Sequence, residues 1–336
     1  MASLDKETIE NFRSAMGTLP SQNPKKNYDY VSTFHQNACY VKLVEFPLNP
    51  YKYLVRCCAS TWGDGELGPG HGSTQKWEKL TPKSRFLVAL SALTGNTLPV
   101  GAESPNFLWE FNGFPRHTFS QFVRMRIGSG HCSIGCRDNN KLDCPWILYP
   151  ELYEELQNNK QLKSDFEEWT KKTKDLYEKI LSTGNGSWQT SRAVLPMSYS
   201  HSWTSYTSLL ALKGQMSRRL MPCEETPIVL MFWRMRSEIE KHFPLIANYL
   251  RPACDGAKRC IYHGGAEGLT KYFSNLFAGC GRWPDQINYQ EFNFSCTNPE
   301  ELSKHCNYVK PTEWISFTEN DYDKLSETDK KLFEEI

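Results

Sequence analysis

Glu103 to Asp138 reads ESPNFLWEFNGFPRHTFSQFVRMRIGSGHCSIGCRD, and the fold turns on it. Phe107-Leu108-Trp109-Glu110-Phe111 puts an aromatic ring at every second position, which predicts a strand, and Asn112-Gly113 predicts a turn after it. Phe119, Phe122 and Val123 then fall at i, i+3 and i+4, the spacing of a short helix. If that helix runs on, Gln121 and Arg124 share a face, whereas Arg124 and Arg126 diverge by about 200° at about 100° per residue. One helix end would then serve two ligands or two subunits. Arg116, Gln121, Arg124, Arg126 and Arg137 stand here among glycines and serines. Guanidinium forks hold phosphate oxygens bidentately, and glycine lets the backbone come close to a ligand, so the stretch suits a pocket for a phosphorylated molecule. The same arginines also fit the solvated side of an amphipathic helix.

Outward from this stretch, residues 1–39 are polar and read as an N-terminal arm. Tyr40 to Phe46 alternates as a half-buried strand does, and Tyr51 to Ser60 reads as a helix. Gly63 to Gly72 is glycine-rich and predicts a loop. Trp77 to Leu93 has helical spacing with an interruption near Pro82, and Leu152 to Leu181 predicts one or two amphipathic helices. Further helices are expected from Trp188 to Leu195, from Trp203 to Leu220, and from Ile228 to Leu250 with a kink at Pro244. The Cys- and aromatic-rich region after Pro252 ends in a charged tail, Glu319 to Ile336. These elements predict an α+β fold, a helix-rich mixed domain with a small antiparallel sheet over residues 40–251. Residues 252–336 follow as a C-terminal extension.

The chain has 336 residues, with 39 Lys+Arg against 38 Asp+Glu and a formal charge of +1. Such a balance argues against a surface that coats nucleic acid, because long-range attraction to phosphate needs an excess of one sign. No apolar run is long enough to span a bilayer, and the acidic residues Asp5, Glu7 and Glu10 do not suit a signal peptide. The sequence therefore reads as a soluble, cytoplasmic protein. Its 12 cysteines are expected to be reduced thiols. His131, Cys132, Cys136 and Cys144, and separately Cys254, Cys260 and His263, form two clusters that invite a zinc reading. Neither has the close C-x-x-C pair that sets two thiolates on one tetrahedron, so no metal site is expected. His117, His201 and His263 read as surface or core histidines, and Trp203, Trp233 and Trp283 as packing residues.

Arg124-Met125-Arg126, with Gln121 three residues before it and Ser129 three after it, resembles the R-H-R motif of the flavin-dependent thymidylate synthases, the thymidylate-synthase-complementing family. Met125 takes the place of the motif histidine. Ser191-Arg192-Ala193-Val194-Leu195-Pro196 is similar to the family's A-R-x-x-L-P, and Arg219 lies at the distance of its next nucleotide-binding arginine. Ser208 and Gly214 stand where the family has asparagines. The resemblance covers about Val41 to Arg251, and it rests on the ordered spacing of several short pieces.

That resemblance implies a flavin-dependent thymidylate synthase-like fold and a homotetramer with sites between subunits. It implies transfer of a one-carbon unit from methylenetetrahydrofolate to C5 of a pyrimidine nucleotide monophosphate, dUMP to dTMP or a variant. The variant would use UMP or dCMP, or yield a 5-hydroxymethyl product. FAD would be the cofactor, with methylenetetrahydrofolate and NADPH as co-substrates. Arg124, Arg126, Ser129 and Ser60 would hold FAD. Gln121, Arg124, Ser133, Arg192 and Arg219 would hold the nucleotide, with Arg219 and Arg137 catalytic. Two other outcomes stay open: a noncatalytic nucleotide- or flavin-binding homologue, and a zinc-stabilised interaction protein.

Overall fold

The computed structural model describes residues 40–61, 77–97, 99–133, 135, 140–141, 146–148, 150–221, 224–257 and 314–335. At its centre is β2 (Asn106–Pro115), whose Phe107, Trp109 and Phe111 are fully buried on one face. β2 pairs on one side with β1 (Tyr40–Glu45) and on the other with β4 (Ser200–Ser208). β4 pairs in turn with β3 (Ser129–Ser133), giving an antiparallel four-stranded sheet in the order β1-β2-β4-β3. Trp109 Nε1 donates to Thr207 Oγ1 at 2.7 Å, fixing the register of the two inner strands on their buried face.

Three parts of the sheet differ from the reading of the sequence. Asn112-Gly113 is a bulge within β2 and does not end it: Phe111 faces Trp203 and Phe114 faces His201, so two residues stand against one, Ser202. Gly113 takes φ 76°, a left-handed conformation that most side chains resist. The segment from Trp203 to Ser208, expected to be helical, is strand. Its His201, Trp203, Ser205 and Thr207 alternate inward, and that period of two, paired on both edges, overrides the helical spacing of Trp203, Tyr206 and Leu210. Ser129 to Ser133, assigned to no strand from the sequence, is the edge strand β3.

The helices follow the prolines. α1 (Pro50–Thr61) and α2 (Pro82–Thr94) both begin at a proline, the position where a missing amide costs nothing. Thr81 caps α2 by accepting from Ser84 N at 3.2 Å, and Gly95 ends it at φ 82°. The interruption expected near Pro82 is thus a boundary between the helical residues 77–79 and α2. α3 (Arg116–Phe122) follows β2 directly, and α4 (Pro150–Asn158) and α5 (Lys160–Leu181) divide at the cap Asn159. α6 (Trp188–Ser191) leads through a 3-10 turn at Arg192–Val194 into β4. α7 (Leu209–Arg219) follows β4, then come α8 (Thr226–Glu240) and α9 (Pro244–Tyr249). Pro244 starts a new helix and does not kink a long one. α10 (Ala253–Ala257) closes this part of the chain.

The charged C-terminal residues do not trail away. α11 (Glu327–Glu334) inserts Phe333, fully buried, against Tyr51 and Phe86, with ring centroids 4.5 and 5.9 Å away. Asp329 accepts from the Tyr51 hydroxyl, from Leu245 N at 3.0 Å and from Ser326 Oγ at 2.7 Å. The buried Arg85 donates to Trp77 O at 2.9 Å, Phe333 O at 2.7 Å and Glu335 O at 3.0 Å. Residues 314–335 therefore share the hydrophobic core of the sheet and its helices. Among the described residues no helix is long and apolar enough to cross a membrane.

Candidate active site

α3 is anchored by Phe119 and Phe122, and the chain then leaves it in a tight turn. Arg124 N donates to Gln121 O at 3.3 Å, Met125 N to Phe122 O at 3.1 Å, and Ser129 N to Arg126 O at 3.3 Å. Met125 packs on the core, so Arg124 and Arg126 on either side of it turn outward and are exposed. Gly128, at φ 67°, brings the turn against β4, where Ser208 N donates to Gly128 O at 2.9 Å. A Cβ there would lie 2.6 Å from Ser208 Oγ, so the close approach requires glycine.

The facing wall is α7. Ser208 caps it by accepting from Ala211 N at 3.2 Å, and the helix then turns Ala211, Gly214, Gln215, Arg218 and Arg219 to one side at i, i+3, i+4, i+7 and i+8. Between turn and helix lies a cleft of about 780 Å³, completed by Glu103, Asn106 and Tyr206. Arg124, Arg126, Arg218 and Arg219 line it against one carboxylate, Glu103, so the cleft attracts anions. Arg219 is ion-paired with Glu224, while Arg124, Arg126 and Arg218 form no ion pair among the described residues. Ile127, 91% exposed, and Leu210 add apolar surface suited to a ring.

Gln215 is 7% exposed and lines the cleft. Its Nε2 donates to Ser129 Oγ at 2.9 Å, while its Oε1 is buried with no hydrogen-bond partner. Histidines lie behind the site. Arg116 Nη1 is 2.8 Å from His201 Nε2, and because a guanidinium cannot accept, that nitrogen is the acceptor and Nδ1 carries the proton. Burial, reinforced by Arg116 and Lys141, pushes His201 down to about 3, so it is neutral in the core, as read from the sequence. Burial also lowers His117, and it lowers His131, whose Nδ1 is 2.8 Å from Ser205 Oγ.

Of the residues singled out from sequence, Arg124, Arg126 and Arg219 meet in the cleft, and Ser129 borders it through Gln215. Arg124 and Arg126 sit on a turn and not on a helix, and both line one cleft where divergent faces were expected. Gln121 on α3, Ser133 at the end of β3 and the exposed Arg192 do not line it. Arg137 lies outside the described residues, and Ser60 falls in α1 with its side chain outside them. Gln215, Arg218, Tyr206 and Glu103 escaped the sequence reading. Gln215 and Arg218 had a trace, since both fall one helical turn or less from Arg219. Among the described residues no three His, Cys, Asp or Glu side chains gather as a metal site would require; Cys136, Cys144, Cys260 and His263 of the two clusters lie outside them.

The model of the thymidylate synthase complementing protein family matches residues 71–245. The chain belongs to that family. The family's matched segment contains β2, β3, β4 and both walls of the cleft. Two similar solved structures are of a UMP/dUMP methylase PolB from Streptomyces cacaoi. The one bound with 5-Br dUMP is 14% identical with a TM-score of 0.49, over 65% of this chain and 96% of that one. The one bound with 5-Br UMP is 13% identical with a TM-score of 0.47, over 64% and 94%. No curated protein matches the chain.

Proposed function

We propose that this member of the thymidylate synthase complementing family binds FAD and a pyrimidine nucleoside monophosphate at the arginine-lined cleft. It transfers a one-carbon unit from methylenetetrahydrofolate to C5 of the base, with NADPH as reductant. The observation that carries this reading is the convergence of Arg124, Arg126, Arg218 and Arg219, from two distant parts of the chain, on one cleft. Guanidinium groups left without carboxylate partners stabilise bound phosphate by charge-assisted hydrogen bonds. The residues present fit a flavin: cations for its phosphates and apolar surface for its ring.

When bound, the flavin supplies the hydride that completes reduction of the transferred carbon. Arg124 and Arg126 hold the anionic part of the cofactor, and Ser129, tied to Gln215, keeps the turn in place. Arg219 meets the pyrimidine edge, where a fixed cation stabilises negative charge as C5 becomes nucleophilic. Gln121, Ser133 and Arg192 complete the nucleotide site across a subunit boundary in a homotetramer, and Arg137 shares the catalytic role with Arg219. Ser60 contributes to flavin binding from α1.

Full-length protein is incubated with FAD, NADPH, labelled methylenetetrahydrofolate and, separately, dUMP, UMP and dCMP. Label at C5 of one nucleotide is the expected result, and its absence from all three overturns the enzymatic reading. A second reading, binding without transfer, is favoured by the Arg219–Glu224 ion pair, which already engages the guanidinium assigned to the base. It predicts saturable nucleotide binding with no labelled product.

A further inference from the structure

α5 stands to one side of the sheet and its helices. It packs chiefly on α4, α6 and the 3-10 turn at Arg192–Val194, over a small cluster of Trp146, Tyr199, Phe166 and Leu195 that is separate from the main core. Its buried face is formed by Thr170, Thr173 and Tyr177. A second, apolar line runs along its flank, where Leu162, Trp169 and Leu176 are 39%, 46% and 46% exposed. Each step of seven residues drifts only about 20° around a helix, so the three make one ridge about 40° wide. Apolar residues exposed singly are ordinary, but three at heptad spacing have the pattern of a seam between paired helices. Trp169 is held in place as well, its ring centroid 5.3 Å from that of Trp146 and 5.5 Å from that of Phe166. A half-exposed tryptophan already fixed by its neighbours gives up little freedom on association, and tryptophan is prominent among the anchors of protein interfaces.

We propose that this ridge receives a second copy of the chain, the two α5 helices lying antiparallel about a twofold axis beside Trp169. Leu162 and Leu176 stand seven residues to either side of Trp169. The axis therefore sets Leu162 of each copy on the partner's Leu176 and brings the two Trp169 rings together. Asp165 and Lys172, both exposed, border the ridge on the side away from the buried face, about 40–60° from Trp169. They lie four residues before Trp169 and three after it, so the same axis sets Asp165 of each copy against the partner's Lys172. The ridge is thus complementary to itself in charge as well as apolar along its length, as a twofold contact requires. Lys172 also pairs with Glu168 one turn back, but at 73% and 63% exposure that pair is solvated and does not withhold the ammonium from a second carboxylate. The mixed signs along this border do not suit an anionic bilayer, which calls for basic residues beside an apolar stripe. No residue of α5 lines the arginine cleft, so the contact is independent of the ligand reading.

Sedimentation velocity of the full-length protein over a dilution series reads the contact. Wild type is expected to self-associate, and the paired substitution Leu162→Lys with Leu176→Lys is expected to halve the particle mass while keeping the circular dichroism of wild type. Asp165→Lys and Lys172→Glu, made in separate chains, each set like charges together twice per contact and are expected to weaken association about tenfold. Mixed in equal amounts, the two variants present opposite charges across the axis and are expected to associate as wild type does. Recovery on mixing is a readout that a role confined to the stability of α5 would not give. A wild type that stays monomeric at every concentration, a mass unchanged by the paired leucine substitution, or no recovery on mixing overturns the contact. A monomeric wild type that cosediments with phosphatidylserine vesicles, and loses this with the paired leucine substitution, overturns it in favour of a bilayer.

Discussion

The dock of α11 and the arginine-lined cleft both collect guanidinium and carboxamide or carboxylate groups from distant parts of the chain, yet they treat them oppositely. In the dock most polar groups are matched, the Tyr322 hydroxyl beside Phe333 excepted: Arg85 reaches three carbonyls, Trp77 Nε1 donates to Glu335 O at 3.0 Å, and Asp329 accepts from three donors. In the cleft Arg124, Arg126 and Arg218 have no ion pair among the described residues, and Gln215 Oε1 is unmatched. Satisfied polar groups around aromatic rings serve cohesion, whereas polar groups kept ready and unpaired serve a ligand. The difference predicts that loss of the dock unfolds the protein, whereas loss of the cleft's side chains leaves it folded.

The sharpest way to break that contrast is Phe333→Ala. It removes a fully buried ring stacked on Tyr51 and should cost about 3–5 kcal/mol, read by denaturant or thermal unfolding. A variant as stable as wild type would mean that the dock is not part of the core. Next in size, Arg219→Ala should weaken nucleotide binding by about 2 kcal/mol while flavin affinity is unchanged. Its stability should stay within about 1 kcal/mol of wild type, because the pair it loses with Glu224 is partly solvated. Equal loss of both ligands in titrations would contradict the role given to Arg219.

Ser208→Ala tests stability at the cleft itself, since Ser208 both caps α7 and lines the cleft. It should cost about 1 kcal/mol of stability, and an unchanged melting temperature would remove the cap from the account. The smallest effect is a slope with pH. Burial raises the Asp329 carboxyl above its ordinary value of 3.8, so the folded protein holds that proton more tightly than the unfolded chain. Its contribution is whole below about pH 3.8 and declines as pH rises through the raised folded value. Asp329→Asn should accordingly gain stability relative to wild type as pH rises from 3 to 8. A difference that stays flat or runs the other way would contradict the burial assigned to this carboxyl.

Much of this was visible in the chain. Phe107, Trp109 and Phe111 announced β2 because a period of two is a local property, whereas Pro82 and Pro244, read as an interruption and a kink, are helix starts. β4 was misread because Trp203, Tyr206 and Leu210 also fit a helix; the choice is made by hydrogen bonds to β2 and β3, which are remote in sequence. Gln215 was missed because in LLALKGQMSRR it looks like any solvated helix position. Its burial depends on Ser129, brought alongside by β3. Arg192 stood out on spacing alone, and spacing does not say which cleft an exposed guanidinium faces.

Alternation, proline placement and the spacing of Arg124, Arg126 and Arg219 within a family pattern are inscribed in the sequence, because each depends on neighbours within a few residues. The strand order β1-β2-β4-β3 decides the rest. By setting β3 against β4 it lays the 124–128 turn beside the start of α7, and so determines which cations share a cleft. The docking of α11 likewise comes from three-dimensional packing. Phe333 finds Tyr51 and Phe86 only once α1 and α2 have formed the surface that receives it.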